Sequence, residues 1–427
     1  MNDRNAEIAP RKIISTLRRY NLLPAIVFLQ TRRKCDEAAL DLANDKTQPF
    51  DAEKIDKRRA IYDEMADEFP EITTHKHRKL IVDAGVGAHH AGHIPAWKLL
   101  VEKMMAAGLL DAIFATSTVA AGVDFPARTV VISNADARGN DGWRSLTASE
   151  LQQMTGRAGR RGRDNVGFAV LVPSPYQNIR KVAELLKSKP DALTSKFRAT
   201  YTSLLNLLDA YGELAQVREM AEKSFAFYHR PAPGDKRDLA GGIWDDFERR
   251  AQVLDHYGYI DLANESVTAD GKWLADLRID RPLLVGEAIR EGVFNEASVA
   301  EFAGMIASIA SDADRNYGEI RTSRSLADRL NSLESIIGKV TTVEWRCGVP
   351  PIEDMNDSAA AAAERWAQGM EWELLVSRTK AEPGDLMRLM ARTGEALRQI
   401  AEVRGANRSI TAIASAASDV LLREPIR

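Results

Sequence analysis

The sequence predicts an α/β domain built on a parallel sheet, followed by smaller and mainly helical parts. Three observations carry that reading. Short, continuously apolar runs recur at Pro24–Leu29, Ala112–Ala115, Thr129–Ser133 and Val166–Val172, and such runs mark strands buried on both faces of a sheet. Helical stretches alternate with them, which is the order of a parallel sheet covered on both faces. From about Pro282 to the end, helices predominate.

Ile8–Tyr20 reads as a short amphipathic helix leading into the first strand. Thr31-Arg32-Arg33-Lys34 then opens a second helix. A strand followed by a basic turn places Thr31 and Arg32 at the carboxyl edge of the sheet, where open α/β folds bind ligands; a plain solvated helix start is the alternative. Residues 44–80 are charged and helical, without a catalytic signature. Val86-Gly-Ala-His-His-Ala-Gly92 forms a strand and a glycine-bearing turn, and Pro95 stands where proline is favoured at a first helical turn. His89 and His90 invite a metal, but only His93 is near and further ligands at suitable spacing are missing, so no metal is expected.

The helix after Pro95 runs to about Ala107 and ends at Gly108. Ala112–Ala115 then leads directly into Thr116-Ser-Thr118 and Ala121-Gly122-Val-Asp124-Phe-Pro126. Hydroxyls at a strand end and a glycine beside a carboxylate suit contacts to phosphate and ribose. After the next strand comes Leu151–Gly162, with Gln153, Gly156, Arg157, Gly159 and Arg160 in the pattern Gln-x-x-Gly-Arg-x-Gly-Arg. Arginine brings a fixed charge and a planar fork of donors that fits a phosphate, and interleaved glycines let the backbone approach closely. Thr147-Ala-Ser-Glu150 is a capping box that starts a helix carrying Gln153 and Arg157 on one face, with Gly159 and Gly162 ending it.

Residues 151–162 resemble motif VI of the superfamily-two helicases, specifically the superkiller-type DExH-box RNA helicases. Residues 31–34 are similar to that family's motif IV, His89–Gly92 with its following proline to motif IVa, and Phe114–Ala127 to motif V. The resemblance implies that Arg157 and Arg160, with Gln153, act on the γ-phosphate of ATP bound by another RecA-like domain, and that Gly122 and Asp124 face the nucleotide. It implies that Thr31, Arg32, His90 and Thr118 line a nucleic-acid track. Asp124-Phe125 departs from the Asn-Met common in the family, a change tolerated among superfamily-two relatives. No Gly-x-x-x-x-Gly-Lys-Ser/Thr loop and no Asp-Glu-x-His box occur in the 427 residues. The expectation is the second half of a motor, with ATP and Mg2+ held mainly by a missing first RecA-like domain. A DNA helicase of the same layout, or a non-catalytic nucleic-acid-binding regulatory module, are the other readings.

Phe197–Tyr211 is a helix with Leu204, Leu205, Leu207 and Leu208 crowding one side. With Ser224-Phe225 it resembles the family's connector into a winged-helix domain. Ile243–Tyr257 reads as a helix and Tyr259–Thr268 as strand, turn and strand, consistent with the wing. Arg230–Gly234 is a loop, with no room for a long insertion. Ala359–Trp372 is helical by propensity. Residues 382–400 resemble the family's C-terminal module, DSHCT. On the helix from Gly384 to about Ala401, Leu386, Leu389, Met390, Leu397 and Ile400 share one face, and Arg388, Arg392, Glu395 and Gln399 lie opposite. The bland reading of that polar face is pairing of Arg392 with Glu395; the resemblance makes Arg388 and Arg392 a grip on single-stranded RNA. The expected division is 1–175 for the second RecA-like domain, 176–280 for connector and winged helix, and 281–427 for the helical bundle.

Composition fits this. Hydrophobic residues make up 45% and charged residues 28%, with no run long enough to span a bilayer and no signal peptide in the polar start. Two distant cysteines suggest neither a disulfide framework nor a zinc site, and a reducing cytoplasm is expected. A net charge of -3 neither requires nor forbids nucleic acid, since a local basic groove can exist on a mildly acidic chain.

Overall fold

The computed structural model describes residues 8–45, 47, 49–117, 127–134, 136–139, 142–172, 179–228, 242–312, 315–352, 354–403 and 408–426. The chain divides into two compact units, Met1–Ala192 and Leu193–Arg427. Among the described residues no helix is long and apolar enough to cross a membrane.

The first unit runs α1 (Pro10–Arg19), β1 (Ala25–Phe28), α2 (Arg32–Ala43), α3 (Ala52–Glu68), α4 (Arg78–Val82), β2 (Val86–His89), α5 (Pro95–Ala106), β3 (Ala112–Ala115), β4 (Thr129–Ile132), β5 (Asp136–Gly139), β6 (Gly142–Ser145), α6 (Ala148–Thr155), β7 (Phe168–Leu171) and α7 (Ile179–Lys187). Strands β1, β2, β3, β4 and β7 form one sheet in the order β2-β3-β1-β4-β7, and every pairing in it is parallel. The apolar runs thus become the strands the sequence predicts. Every residue of β1, β2, β3 and β4 is buried, as a parallel sheet with helical crossovers requires. Strand β7, at the opposite edge from β2, differs in burial: Phe168 and Ala169 are exposed.

The β5–β6 hairpin, paired antiparallel from Asp136↔Ser145 to Gly139↔Gly142, is not anticipated by the sequence reading. Hairpin and α6 are tied together. Arg144 donates to both carboxylate oxygens of Glu150, one bond being 2.8 Å, and Glu150 also completes the α6 capping box with Thr147.

The second unit begins with α8 (Tyr201–Tyr211), α9 (Leu214–Glu222), α10 (Phe225–Tyr228) and α11 (Gly242–His256). Helix α8 starts at residue 201 rather than 197 because Thr200 and Ser203 form its capping box. Its Leu204, Leu205 and Leu208 are buried. A two-residue antiparallel pair, β8 (Ile260–Asp261) with β9 (Ser266–Val267), precedes α12 (Ala269–Asp276). Next come α13 (Pro282–Arg290), α14 (Val299–Ala310), α15 (Arg324–Arg346), α16 (Asp357–Ala367), α17 (Trp372–Thr379), α18 (Pro383–Glu402) and α19 (Arg408–Leu421).

The helix expected over 359–372 stops at Ala367. Gly369 adopts a φ of +91° and Met370 N–H bonds back to Arg365 O at 3.1 Å, a glycine-bearing helix stop that outweighs propensity. Ala359 to Ala363 are completely buried. A Cβ on Gly304 of α14 would lie 3.1 Å from Ala360 O, so the alanines serve close helix packing as well as helix formation.

Candidate nucleotide and nucleic-acid site

Four stretches singled out by the sequence belong to the first unit. The arginine loop departs from the geometry expected of it. Helix α6 ends at Thr155, capped by Gly156 in the right-handed region, so Gln153 is on the helix and Arg157 is beyond it. The reason is a competing backbone interaction. Ala127 N–H bonds to Arg157 O at 3.0 Å, and Gly159 N–H bonds to Ala127 O at 2.7 Å, so residues 157–159 form a parallel bridge with the entrance to β4. Gly159 has a φ of +92°, and its Cβ would approach Gly167 Cα to 3.2 Å. A Cβ on Gly167 would lie 2.4 Å from the carbonyl of Ala158. Two glycines therefore let three backbone segments meet under the arginines.

Gln153 is exposed, while Arg157 and Arg160 are half-buried. Arg160 is held in a bidentate pair with Asp164, Nε to Oδ2 at 2.7 Å and Nη2 to Oδ1 at 3.0 Å, and its own N–H also bonds to Oδ2. The Asp164 side chain is only 3% exposed. Its hydrogen bonds from Arg160, opposed by burial, hold its carboxyl down to about 2. Sequence reading missed Asp164, although an aspartate four residues after an arginine is a recognisable pairing distance. The N-terminus of α6 is fixed too. Ser149 N–H donates to Asp191 Oδ2, and Asp191 N–H donates to Ser149 Oγ, both at 2.8 Å, while Gln152 donates to Ser188 O.

Thr118, Gly122 and Asp124 lie outside the described residues. Thr31 caps α2, its Oγ1 accepting from Lys34 N–H at 3.2 Å, and Arg32 is the first residue of that helix.

His90 is completely buried. Its Nδ1 accepts from Gly92 N–H at 3.2 Å, which places the ring proton on Nε2, 2.9 Å from Asp36 Oδ1. The same logic runs through the neighbouring rings. His75 Nδ1 accepts from His77 N–H, so its Nε2–H donates to His93 Nδ1 at 3.1 Å. The His93 proton then lies on Nε2, 3.5 Å from Asp36 Oδ1. His77 Nε2 is 3.6 Å from the same oxygen, and Lys76 Nζ is 2.7 Å from Oδ2.

Asp36, His90 and His93 bring ligand-capable atoms within 4.8 Å of one another, a convergence that sequence spacing does not reveal. Two observations make the cluster a hydrogen-bonded anchor. The tautomers fixed by Gly92 and His77 N–H point protons, not lone pairs, at the carboxylate. The His90 and His93 rings are also stacked 3.9 Å apart at 25°, with both Nε2 atoms already directed at one Asp36 oxygen, at 2.9 and 3.5 Å. What the turn after β2 offers outward is backbone, because the His90 ring is used inside.

Burial dominates the protonation of His75, His77 and His93. It pushes His77 down to about 4 and His93 down to about 3, and His75 lower still. For Asp36 burial acts upward, but hydrogen bonds from His90 and Lys76, with longer contacts from His93 and His77, outweigh it and hold the carboxyl well below its usual range.

In the second unit, α18 buries Leu386, Leu389, Met390, Leu397 and Ile400, as its periodicity predicts. Arg388, Arg392 and Glu395 are exposed. Arg392 does not pair with Glu395, which bonds Arg398 instead at 3.0 Å. Its partners are Asp280 and Asp312, from two segments outside the helix.

Residues 264–427 match the DSHCT (NUC185) domain family. The chain is 35% identical over 231 residues to DExH-box ATP-dependent RNA helicase DExH15, chloroplastic, of Arabidopsis thaliana, a match covering 49% of this chain and 19% of that protein. It is 36% identical to Probable helicase HelY of Mycobacterium tuberculosis, over 51% of this chain and 24% of the relative. It is 35% identical to Antiviral helicase SKI2 of Saccharomyces cerevisiae, over 50% of this chain and 17% of the relative. The matched stretch thus spans about a quarter or less of each of these relatives.

Two measurements follow from this geometry. Gly167→Ala drives a methyl into the Ala158 carbonyl and should cost about 1–3 kcal/mol in chemical denaturation; an unchanged midpoint would mean that the three backbone segments are not packed this tightly. His75, His77 and His93 are neutral when folded and bind protons more readily when unfolded. Their contribution is therefore complete above about pH 6.5 and declines as pH falls through that value toward 4 and 3. Melting temperature should drop across that window, and His77→Gln/His93→Gln should flatten the drop.

Proposed function

We propose that this chain, kin to the superkiller-type DExH-box RNA helicases through its DSHCT module and its matched relatives, is the C-terminal part of an ATP-dependent RNA helicase. In this reading it translocates on single-stranded RNA and unwinds duplexes once a first RecA-like domain completes it. Residues 1–175 are the second RecA-like domain, 176–280 the connector and winged helix, and 281–427 the bundle. The five-stranded parallel sheet supports the first assignment, and the β8–β9 pair after α11 supports the wing.

The observation that carries the reading is the arginine loop, two half-buried guanidiniums on a backbone fixed by Ala127 and Gly167. Fixed cations aimed at a transferring phosphoryl group stabilise charge that develops as water attacks, and a rigid support spares reorganisation at that moment. ATP and Mg2+ are held mainly by the first RecA-like domain. Arg157, Arg160 and Gln153, with Gly122 and Asp124, close the nucleotide from this side. Arg160 arrives pre-oriented by Asp164, whose pair leaves its guanidinium in one geometry. Thr31, Arg32 and Thr118 contribute strand-end contacts to the RNA backbone. His90 acts from below through the fold of its turn, and Arg388 and Arg392 grip the strand on the bundle.

The chain alone should hydrolyse ATP negligibly, with or without RNA, and robust turnover by it would overturn the division of labour. When a first RecA-like domain is supplied, Arg157→Ala and Arg160→Ala should each lower RNA-stimulated turnover by on the order of 10³ or more; Arg160→Ala, which takes the bidentate partner from the buried Asp164 carboxylate, should lower the melting temperature as well. An arginine whose removal leaves turnover near normal has no part in phosphoryl transfer.

A further inference from the structure

The two arginines proposed to grip RNA are not isolated positive charges. Arg392 Nη2 lies 2.5 Å from Asp280 Oδ2, and its Nη1 lies 3.0 Å from Asp312 Oδ1. Asp312 Oδ2 is 3.5 Å from Arg315 Nε. Arg315 in turn contacts Asp385 Oδ1, which is 3.3 Å from Arg388 Nη1. Asp280, Arg392, Asp312, Arg315, Asp385 and Arg388 therefore form a ladder of alternating charge whose three carboxylates cancel its three guanidiniums.

The rungs are unequal. Asp385 belongs to the first turn of α18 and its side chain is 11% exposed. Asp280 and Asp312 are 59% and 46% exposed, and each takes a separate nitrogen of the Arg392 fork. A guanidinium fork presents the same donors to phosphate oxygens as to carboxylates. The two carboxylate oxygens thus stand where phosphate oxygens of a bound strand would bind.

We propose that Asp280 and Asp312 are built-in competitors for the Arg392 fork, so that a single-stranded RNA backbone engages α18 by exchanging both carboxylates for phosphate. This rests on the reading of Arg392 as an RNA contact and adds to it the residues that set its affinity. Exposed ion pairs are weak enough to be displaced. Their loss from the fork costs the RNA part of its binding energy, and their negative charge repels neighbouring phosphates. The ladder keeps the Arg392 fork neutralised until a strand arrives, which favours release as much as capture. A motor that must let go of each nucleotide needs a weak grip here.

The test uses the full chain, a labelled single-stranded homopolymer RNA oligonucleotide, and a series of salt concentrations. Asp280→Asn and Asp312→Asn should each tighten binding by about 1.5-fold to about five-fold, the range set by one exposed ion pair, and should steepen the salt dependence. In an Arg392→Ala background both gains should vanish, as a double-mutant cycle reads. Unchanged or weaker binding by the folded single variants overturns the proposal. So does a gain that persists without Arg392, because the aspartates would then act only through general charge. Failure of the underlying reading is visible separately, since Arg388→Ala/Arg392→Ala with both competing aspartates intact would then leave affinity unchanged. Melting curves accompany each variant, and the two single Asp→Asn changes, at exposed positions, keep the test available if a combined variant folds poorly.

Discussion

Asp36 gathers one short and two longer contacts from ring nitrogens on a single oxygen and a lysine ammonium on the other. Those partners come from the turn before α4 and the turn after β2, while Asp36 itself belongs to α2. One carboxylate therefore fixes three segments near the carboxyl ends of β1 and β2, where Thr31, Arg32 and the glycine turn are displayed. Buried charge is costly unless paired and hydrogen-bonded, and here the Lys76 ammonium pairs one oxygen while ring nitrogens surround the other. The cluster is rigid for that reason. His75, His90 and His93 each have the tautomer fixed by a neighbour, so moving one segment disturbs the others.

The arginine loop obeys a comparable constraint through backbone rather than side chains. Helix α6 could have continued past Thr155, but residues 157–159 bond to Ala127 instead. Gly167 on the approach to β7 is what lets them do so. The arginines are thereby carried on a bridge to the sheet and not on a helix surface, and their support is as stiff as the strand it joins.

How much of this is legible in the sequence follows from how local the determining interactions are. Strands β1, β3 and β4 are legible because strands buried on both faces leave continuous apolar runs. The apolar face of α18 is legible because its period is 3.6 residues. Capping at Thr147 is legible because both partners lie within four residues. The Asp36 cluster is not, since Asp36 and His90 are 54 positions apart and nothing near the histidines advertises a carboxylate. Arg392 is hidden in the same way: its partners are 112 and 80 positions away, so helical spacing offers Glu395, and the fold supplies others. The early stop of α16 was present in Gly369 but overridden by the weight of five alanines. Of the candidate site, the arginine loop is spelled out by its motif, whereas Asp164 and Asp191, which hold its helix and its guanidinium, carry no motif.

The reciprocal bonds between Ser149 and Asp191 have a mechanical meaning. Asp191 is the penultimate residue of the first unit, so the segment that leaves this unit is stapled to the N-terminal turn of α6 before it departs. Tension along the backbone at that point is delivered to a helix whose last residue, Thr155, lies two positions before Arg157. A helix of eight residues is too short to absorb such a load by bending, and acts as a lever about 12 Å long at 1.5 Å per residue. The exit of the chain and the arginine loop are thus two ends of one stiff strut.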